Sequence, residues 1–370
     1  MPIDSLENAG SDGPSVGKHT IYDIARLAGV SGKTVSRVLN NEPSVSPATR
    51  DRVSRIIEEL GYQPHHGARS MRGQQRDCVG VVFSAPMNKW PVSHQQINWL
   101  FFELERIFGA RGKFICFDLN PYANSNGIDG VDYARALWQQ RCNGCLVHGA
   151  LQLSDKTIFR IHNSGYPYMA LNRFDDIPDL CSACVDYDEA AFLSAQRLIR
   201  GGHKRIGMLQ AFHDTQAGKE RRSGYVRALE DAGIEIDDSL VRPVSFASND
   251  VAAATLYLLT ECKASAIIDC SMLEDPTSVR EGARRAGRVA GKDFELVDWT
   301  YSPDSVVLPE ACAHVRLPLR EAASEGMELL AQWFDRERDE PFQILRQPVL
   351  FEADAVRELP IATPIFDTIR

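Results

Sequence analysis

The chain has 370 residues, 44% of them hydrophobic and 25% charged, enough for two or three domains with sizeable cores. Its net charge of −9 hides an asymmetry: residues 18–76 carry ten Lys and Arg against five Asp and Glu, whereas everything after residue 76 nets −11. A small basic module on a large acidic body fits local binding to phosphate and excludes a protein that coats nucleic acid along its whole length.

Residues 1–17, MPIDSLENAGSDGPSVG, hold three acids and no Lys or Arg. They lack the basic start and apolar core of a signal peptide, and no later run of 18 apolar residues is fit to span a membrane. Residues 1–18 read as a disordered tail, and the protein as cytoplasmic with no membrane partner.

Thr20 to Ala28 is predicted as an amphipathic helix, with Ile21, Ile24, Ala25 and Ala28 on one face and a capping-box-like start at Thr20 and Asp23. Gly29-Val30 breaks the chain. The stretch Ser31 to Asn40 forms a second helix, with Ser31 as N-cap and Val35, Val38 and Leu39 as its apolar stripe. Lys33, Thr34, Ser36, Arg37 and Asn40 remain on the outer face. Two short helices joined by a tight glycine turn make a helix-turn-helix. Ser46 caps a third helix, Pro47 suits its first position, Val53, Ile56, Ile57 and Leu60 give it a core face, and Gly61 ends it. The all-α headpiece therefore covers residues 19–63. Pro64 forces an extended residue before it and opens a hinge over 64–76.

From Cys78 onward, apolar strands alternate with helical stretches. The expected strands are 78–83, 114–117, 144–147, 168–171, 206–209, 266–269 and 295–297. The expected helices are 97–108, 133–140, 158–163, 189–200, 220–232, 251–259 and 277–286. Repeated βα alternation means parallel sheets with right-handed crossovers. Two such series give two doubly wound subdomains in an α/β body over 77–358, followed by a C-terminal tail over 359–370.

The stretch TIYDIARLAGVSGKTVSRVLNNEPSVSPATRDRVSRIIEELGYQPHHGARSMRG resembles the DNA-binding headpiece and hinge of the LacI/GalR family of bacterial transcription regulators, nearly without gaps. Gly202-His203-Lys204-Arg205-Ile206-Gly207 and Glu220-Arg221-Arg222-Ser223-Gly224-Tyr225 are landmarks of the periplasmic-binding-protein-like effector domain that comes after the headpiece in that family. The resemblance implies base reading by Lys33 and Arg37, with Gly32 allowing close approach; an arginine matches guanine O6 and N7 bidentately in the major groove. It places Thr20, Tyr22, Ser31, Thr34, Ser36 and Asn40 at phosphate-contacting positions, which set register. Met71 stands where relatives carry a leucine wedge that pries apart a minor-groove base step. Gly67 weakens the hinge helix that carries this wedge by up to about 1 kcal/mol.

Open α/β sheets bind ligands at the carboxyl ends of their strands. Asn172-Arg173 comes directly after such a strand, where the resemblance implies an Asp-Arg pair whose acid serves ligand hydroxyls. Asn172 can donate as well as accept, which suits a sugar hydroxyl or a carboxylate. Arg221 matches an arginine that reaches into the cleft in the family. Trp90, Phe246 and Trp299 are of the type that stacks on a sugar face, though each is equally open to a core reading. Three cleft loops depart from the family pattern: Met87 to His94, Cys270-Ser271-Met272, and Asp298-Trp299-Thr300-Tyr301.

Nine cysteines, an odd count, fit reduced thiols. Cys142/Cys145 and Cys181/Cys184 have metal-like spacing, but both pairs run into apolar, strand-like sequence. The resemblance assigns them to different subdomains, so they are read as buried structural cysteines and no metal is expected. No HExxH, Walker loop, GxSxG or strand-linked GxGxxG is present, and neither catalysis nor a cofactor is expected. The reading is a homodimeric regulator, a repressor in the first instance. Its partners are a near-palindromic double-stranded DNA operator and a small-molecule effector, a sugar or sugar derivative by resemblance. The alternatives are a cytosolic solute-binding protein, or an activator with a non-sugar effector.

Overall fold

Serine hydroxyls start two of the first three helices. In the computed structural model the Thr34 amide donates to Ser31 Oγ at 3.1 Å, and the Thr49 amide donates to Ser46 Oγ at 3.4 Å. These contacts satisfy N–H groups that a helix leaves orphaned at its first turn. The structure describes residues 21–39, 44–60, 78–84, 94–118, 132–149, 151–153, 155–245, 247–271, 277–301 and 310–352. Thr20, Asn40, Met71, Trp90 and Phe246, the hinge over 64–76 and both tails lie outside them.

Two compact units result, Met1–Gln75 and Arg76–Arg370. In the first, α1 (Ile21–Ala28) ends where Gly29 takes φ +61°, a left-handed turn that costs glycine no steric strain. The Val30 amide then closes back on the Ala25 carbonyl at 3.0 Å. The helices α2 (Gly32–Leu39) and α3 (Pro47–Glu59) pack with α1 around Ile24, Ala25, Ala28, Val35, Val38 and Val53. The larger of these side chains contribute roughly 1.5–3 kcal/mol each by burial.

The second unit holds two six-stranded sheets. The first lobe is built from β1 (Cys78–Phe83), α4 (His94–Ile107), β2 (Phe114–Asp118), α5 (Arg135–Trp138), β3 (Cys145–His148), α6 (Lys156–His162), β4 (Tyr168–Ala170) and β5 (Ser182–Val185). The chain then crosses to the second lobe: α7 (Tyr187–Arg200), β6 (Ile206–Gln210), α8 (Gln216–Asp231), β7 (Val241–Pro243), α9 (Ser248–Thr260), β8 (Ala266–Cys270), α10 (Thr277–Arg285), β9 (Glu295–Thr300) and β10 (Ala313–Arg316). It returns to the first lobe for α11 (Leu319–Phe334) and β11 (Gln343–Arg346), and ends in the second with β12 (Val349–Glu352).

The strand order is β11-β5-β4-β3-β1-β2 in one lobe and β12-β10-β9-β8-β6-β7 in the other. All pairs are parallel except β10 with β12, which run antiparallel. The two doubly wound subdomains expected from βα alternation are present, each finished by an element from the far end of the chain. Both CxxC pairs lie in the first lobe, on β3 and β5 or just before them, so the expectation that they belong to different subdomains is corrected. All four sulfurs are buried, and burial pushes the Cys142 and Cys184 thiols up to about 12.

In the second lobe, α7 and α8 pack face to face, and Gly224 sits at their closest approach. A methyl group built there would lie 1.8 Å from the Asp188 carbonyl oxygen.

Candidate DNA-reading surface and effector cleft

On the headpiece, burial of Val35 and Val38 turns the opposite side of α2 outward. Lys33 is exposed, and Gly32, Thr34, Ser36 and Arg37 are half-buried. Tyr22, on α1, is 76% exposed, and its ring lies 3.8 Å from the point where a Gly32 side chain would begin. The tyrosine ring thus lies beside the start of α2, at a distance that would still admit a methyl group. Ser31 is held by α2 itself, its Oγ 2.9 Å from Thr34 Oγ1. Of the expected contact residues, the structure thus gathers Tyr22, Ser31, Gly32, Lys33, Thr34, Ser36 and Arg37 around one helix.

In the body, the first lobe presents Ser84, His148, Gly149 and Asn172 at the carboxyl ends of β1, β3 and β4. Asn172 Nδ2 donates to the Gly149 carbonyl at 2.8 Å. Burial pulls the His148 imidazole down to about 4, so it is neutral at physiological pH. Arg173 turns toward the second lobe: its Nε donates to Glu220 Oε1 at 2.6 Å, and Asp186, at the crossover, lies 3.7 Å away. Burial pulls the Arg173 guanidinium down, but the Glu220 bond and charge more than offset this and hold it raised. Burial likewise pushes the Glu220 carboxyl up, with Arg173 offsetting only part. Gln152 bridges to Thr215, and the Gln216 amide donates to the Leu151 carbonyl at 3.1 Å, so the lobes also meet through backbone.

The second lobe supplies Arg221, on the first turns of α8, fully buried at 0% exposure. Its Nη1 donates to the Ala211 carbonyl at 2.8 Å. Its Cζ lies 4.7 Å from the ring centre of Tyr187, 5.2 Å from Phe212 and 5.4 Å from Trp299. Nε and Nη2 have no hydrogen-bond partner among the described residues. Burial pushes the Tyr301 phenol up, and the nearby guanidinium offsets part of this; the hydroxyl itself pairs with Tyr187 at 2.9 Å. Trp299 stacks on Tyr187 at 12° between planes and donates its indole N–H to Ser194 Oγ at 2.9 Å.

Asn172 therefore comes just after β4 and Arg221 lies on α8, whereas Trp299 is buried in the core of the second lobe and Arg173 is engaged between the lobes. Tyr187, Phe212 and Glu220 were not singled out by sequence reasoning as cleft residues. Tyr187 and Phe212 each come just after a strand, a positional signal that could have found them. The bond from Arg173 to Glu220 left no local trace.

A helix-turn-helix headpiece joined to a two-lobed α/β body defines a DNA-binding transcription regulator. Residues 20–65 match the family described as bacterial regulatory proteins, lacI family, and residues 122–287 match the periplasmic binding proteins and sugar binding domain of LacI family. The HTH-type transcriptional regulator CelR of Thermobifida fusca is 30% identical over 332 residues, covering 88% of this chain and 95% of that protein. Catabolite control protein A of Priestia megaterium is 28% identical over 86% of this chain and 93% of its own length. The chain belongs to the LacI family of transcription regulators.

Among solved structures, a CelR–cellobiose complex aligns with a TM-score of 0.63 at 27% identity, covering 90% of this chain and 98% of that one. The lac repressor dimer bound to operator and the anti-inducer ONPF aligns at 0.73 over the same shares, at 20% identity, a likeness of fold. No helix among the described residues is long and apolar enough to cross a membrane.

Proposed function

We propose that this protein is a cytoplasmic bacterial repressor that binds a near-palindromic operator as a homodimer and answers to a small-molecule effector held between the lobes of its body. The observation that carries the DNA half is the outward face of α2, with Lys33 exposed and Tyr22 settled against Gly32 at its start. Lys33 and Arg37 read base edges; Tyr22, Ser31, Thr34 and Ser36, with Thr20 and Asn40 beyond the described residues, hold phosphates. Met71 enters the minor groove from the hinge, and a pyrimidine–purine step at the operator centre offers the easiest place for two such wedges. A gel shift with genomic fragments tests the binding. Arg37→Ala is expected to flatten preference at one base pair per half-site, a discrimination of roughly 1–3 kcal/mol. Tyr22→Phe should weaken all sequences alike. An Arg37→Ala protein with the parent's site preference removes Arg37 from the reading role.

The homodimer is supported by exposed aromatic side chains on the first lobe. Phe101 and Phe102 on α4 are 45% and 69% exposed, and Phe114 on the edge strand β2 is 56% exposed. A helix and an edge strand bearing exposed aromatics suit a self-complementary contact about a two-fold axis. Such an axis matches a palindromic site. Phe102→Glu is expected to convert the dimer to monomer in sedimentation at micromolar concentration, and operator affinity should fall with it. A Phe102→Glu protein that stays dimeric moves the contact elsewhere.

The effector half rests on Asn172 just after β4 and Arg221 on α8, with Trp299 packed against the Arg221 guanidinium. Glu220 holds Arg173 at the rim, so Arg173 reports on how the lobes sit together. A sugar or sugar derivative is supported by the cellobiose complex of the relative CelR.

A further inference from the structure

We infer that the effector carries an oxyanion, a carboxylate foremost, and that Arg221 receives it along one edge of the guanidinium. This rests on the reading of Arg221 as an effector contact and goes beyond it by assigning the ligand's charge.

A guanidinium does not give up its proton in a protein, and buried charges are paired. Arg221 is fully buried, yet the acceptor it bonds is neutral, the Ala211 carbonyl. Nε and Nη2 meet no described acceptor in hydrogen-bond geometry, the Tyr301 hydroxyl beside the guanidinium is neutral and pairs with Tyr187, and no carboxylate forms an ion pair with Arg221 among the described residues. The contrast with Arg173 is direct. That arginine is only half-buried but faces two acids, Glu220 at 2.6 Å and Asp186 at 3.7 Å. Arg221 lies deeper and has none.

Which atoms are left over decides the shape of the missing partner. Tyr187, Phe212 and Trp299 pack around the guanidinium within 4.7–5.4 Å, and Ala211 uses Nη1. The edge that remains is Nε–H with Nη2–H. These two bonds are nearly parallel, and their spacing matches the two oxygens of a carboxylate or two oxygens of a phosphate. Two hydroxyls of a neutral sugar would satisfy the donors but leave the charge uncompensated. In surroundings shielded by three rings and poor in water, that difference is magnified. The aromatic faces soften the charge without supplying a counter-ion.

The test uses full-length protein and thermal melting with matched probes: D-galacturonate and D-glucuronate, the neutral sugars D-galactose and D-glucose, and the 6-phosphates of both hexoses. A uronate is expected to raise the melting temperature by roughly 5 °C when present at about a hundred times its Kd, with its neutral partner far behind. Arg221→Met should abolish the rise, and Arg221→Lys, a cation without the fork, should keep only part of it. If the methionine variant does not fold, the lysine variant decides.

A phosphate that stabilises where the uronates do not supports the oxyanion and overturns the carboxylate. A neutral sugar that binds as well as its acid overturns the charge, as does a panel in which no acid stabilises the parent. A rise that persists undiminished in both variants overturns the placement at Arg221. Gel shifts on the same samples separate this from the reading beneath it. A neutral sugar that alters DNA binding through Arg221 keeps the effector site and removes the anion. An acid that binds through Arg221 without altering DNA binding keeps the anion and removes the effector role.

Discussion

Arg221→Ala is expected to bind operator in the absence of effector and to ignore effector concentrations that fully shift the parent. The reason is geometric and energetic. Arg221 lies on α8 of the second lobe, in the unit after the headpiece, and its described contacts are in the body: Ala211, Tyr187, Phe212 and Trp299. An effector can shift an equilibrium only by its differential affinity for the two states, typically about 1–3 kcal/mol of coupling or roughly 5–150-fold in operator affinity. Charge-assisted hydrogen bonds to Nε and Nη2 are a sufficient source of that difference. Removing the side chain also leaves a cavity among three rings, so the comparison is made with Arg221→Met, which keeps the stem. Operator titrations with and without effector decide it. An unaltered effector response returns Arg221 to a packing role, and operator binding lost without any ligand makes it structural.

Gly224→Ala is expected to cost about 3 kcal/mol or more, at the upper end of what overpacking does. The added methyl would lie 1.8 Å from the Asp188 carbonyl oxygen and 2.7 Å from its carbon, both backbone atoms that cannot swing aside. The helices α7 and α8 must part, and with them Tyr187 and Arg221, one on each helix. The denaturant midpoint should fall at an unchanged slope, which marks lost stability rather than a changed unfolded state. Gly32→Ala is the control. Its nearest neighbour is the flexible Tyr22 ring at 3.8 Å, so stability should hold while DNA binding changes. Equal melting of Gly224→Ala and the parent would show that the helices tolerate a wider spacing.

The headpiece was legible because its signals are local. Ser31, Ser46 and Gly29 announce helix ends by their own chemistry, and the observed caps and the left-handed turn stand where those residues do. The βα alternation was legible for the same reason. The chain beyond residue 297 was not. β11 is exposed at Gln343, Leu345 and Arg346 with only Ile344 buried, so its four residues carry no run of apolar sequence, and its place beside β5 depends on a partner some 160 positions earlier. The antiparallel partner of β10 is also remote. The cleft was partly legible. Arg221 was singled out by its resemblance, but its neighbours in Lys219-Glu220-Arg221-Arg222 are just as polar, and nothing in that run says which one is fully buried. The bond of Arg173 to Glu220 could not be read from the sequence, because Glu220 lies 47 positions away.

The three crossings between the lobes also fix an order of synthesis. The headpiece draws its apolar core from residues 21–60 alone, and it can fold as soon as that segment has left the ribosome. Neither lobe can be finished then. The first waits for α11 and β11, and the second waits for β12, all close to the end of the described chain. A premature stop between β6 and α11 therefore releases a complete DNA-reading module on two unfinished lobes. Such a fragment keeps the three-helix headpiece proposed to read the operator while losing the element that closes the sheet beside Arg173. It would compete for single half-sites without answering to any effector. Nonsense changes beyond the headpiece should for that reason disturb a cell that also makes the intact protein more than those within residues 21–60 do.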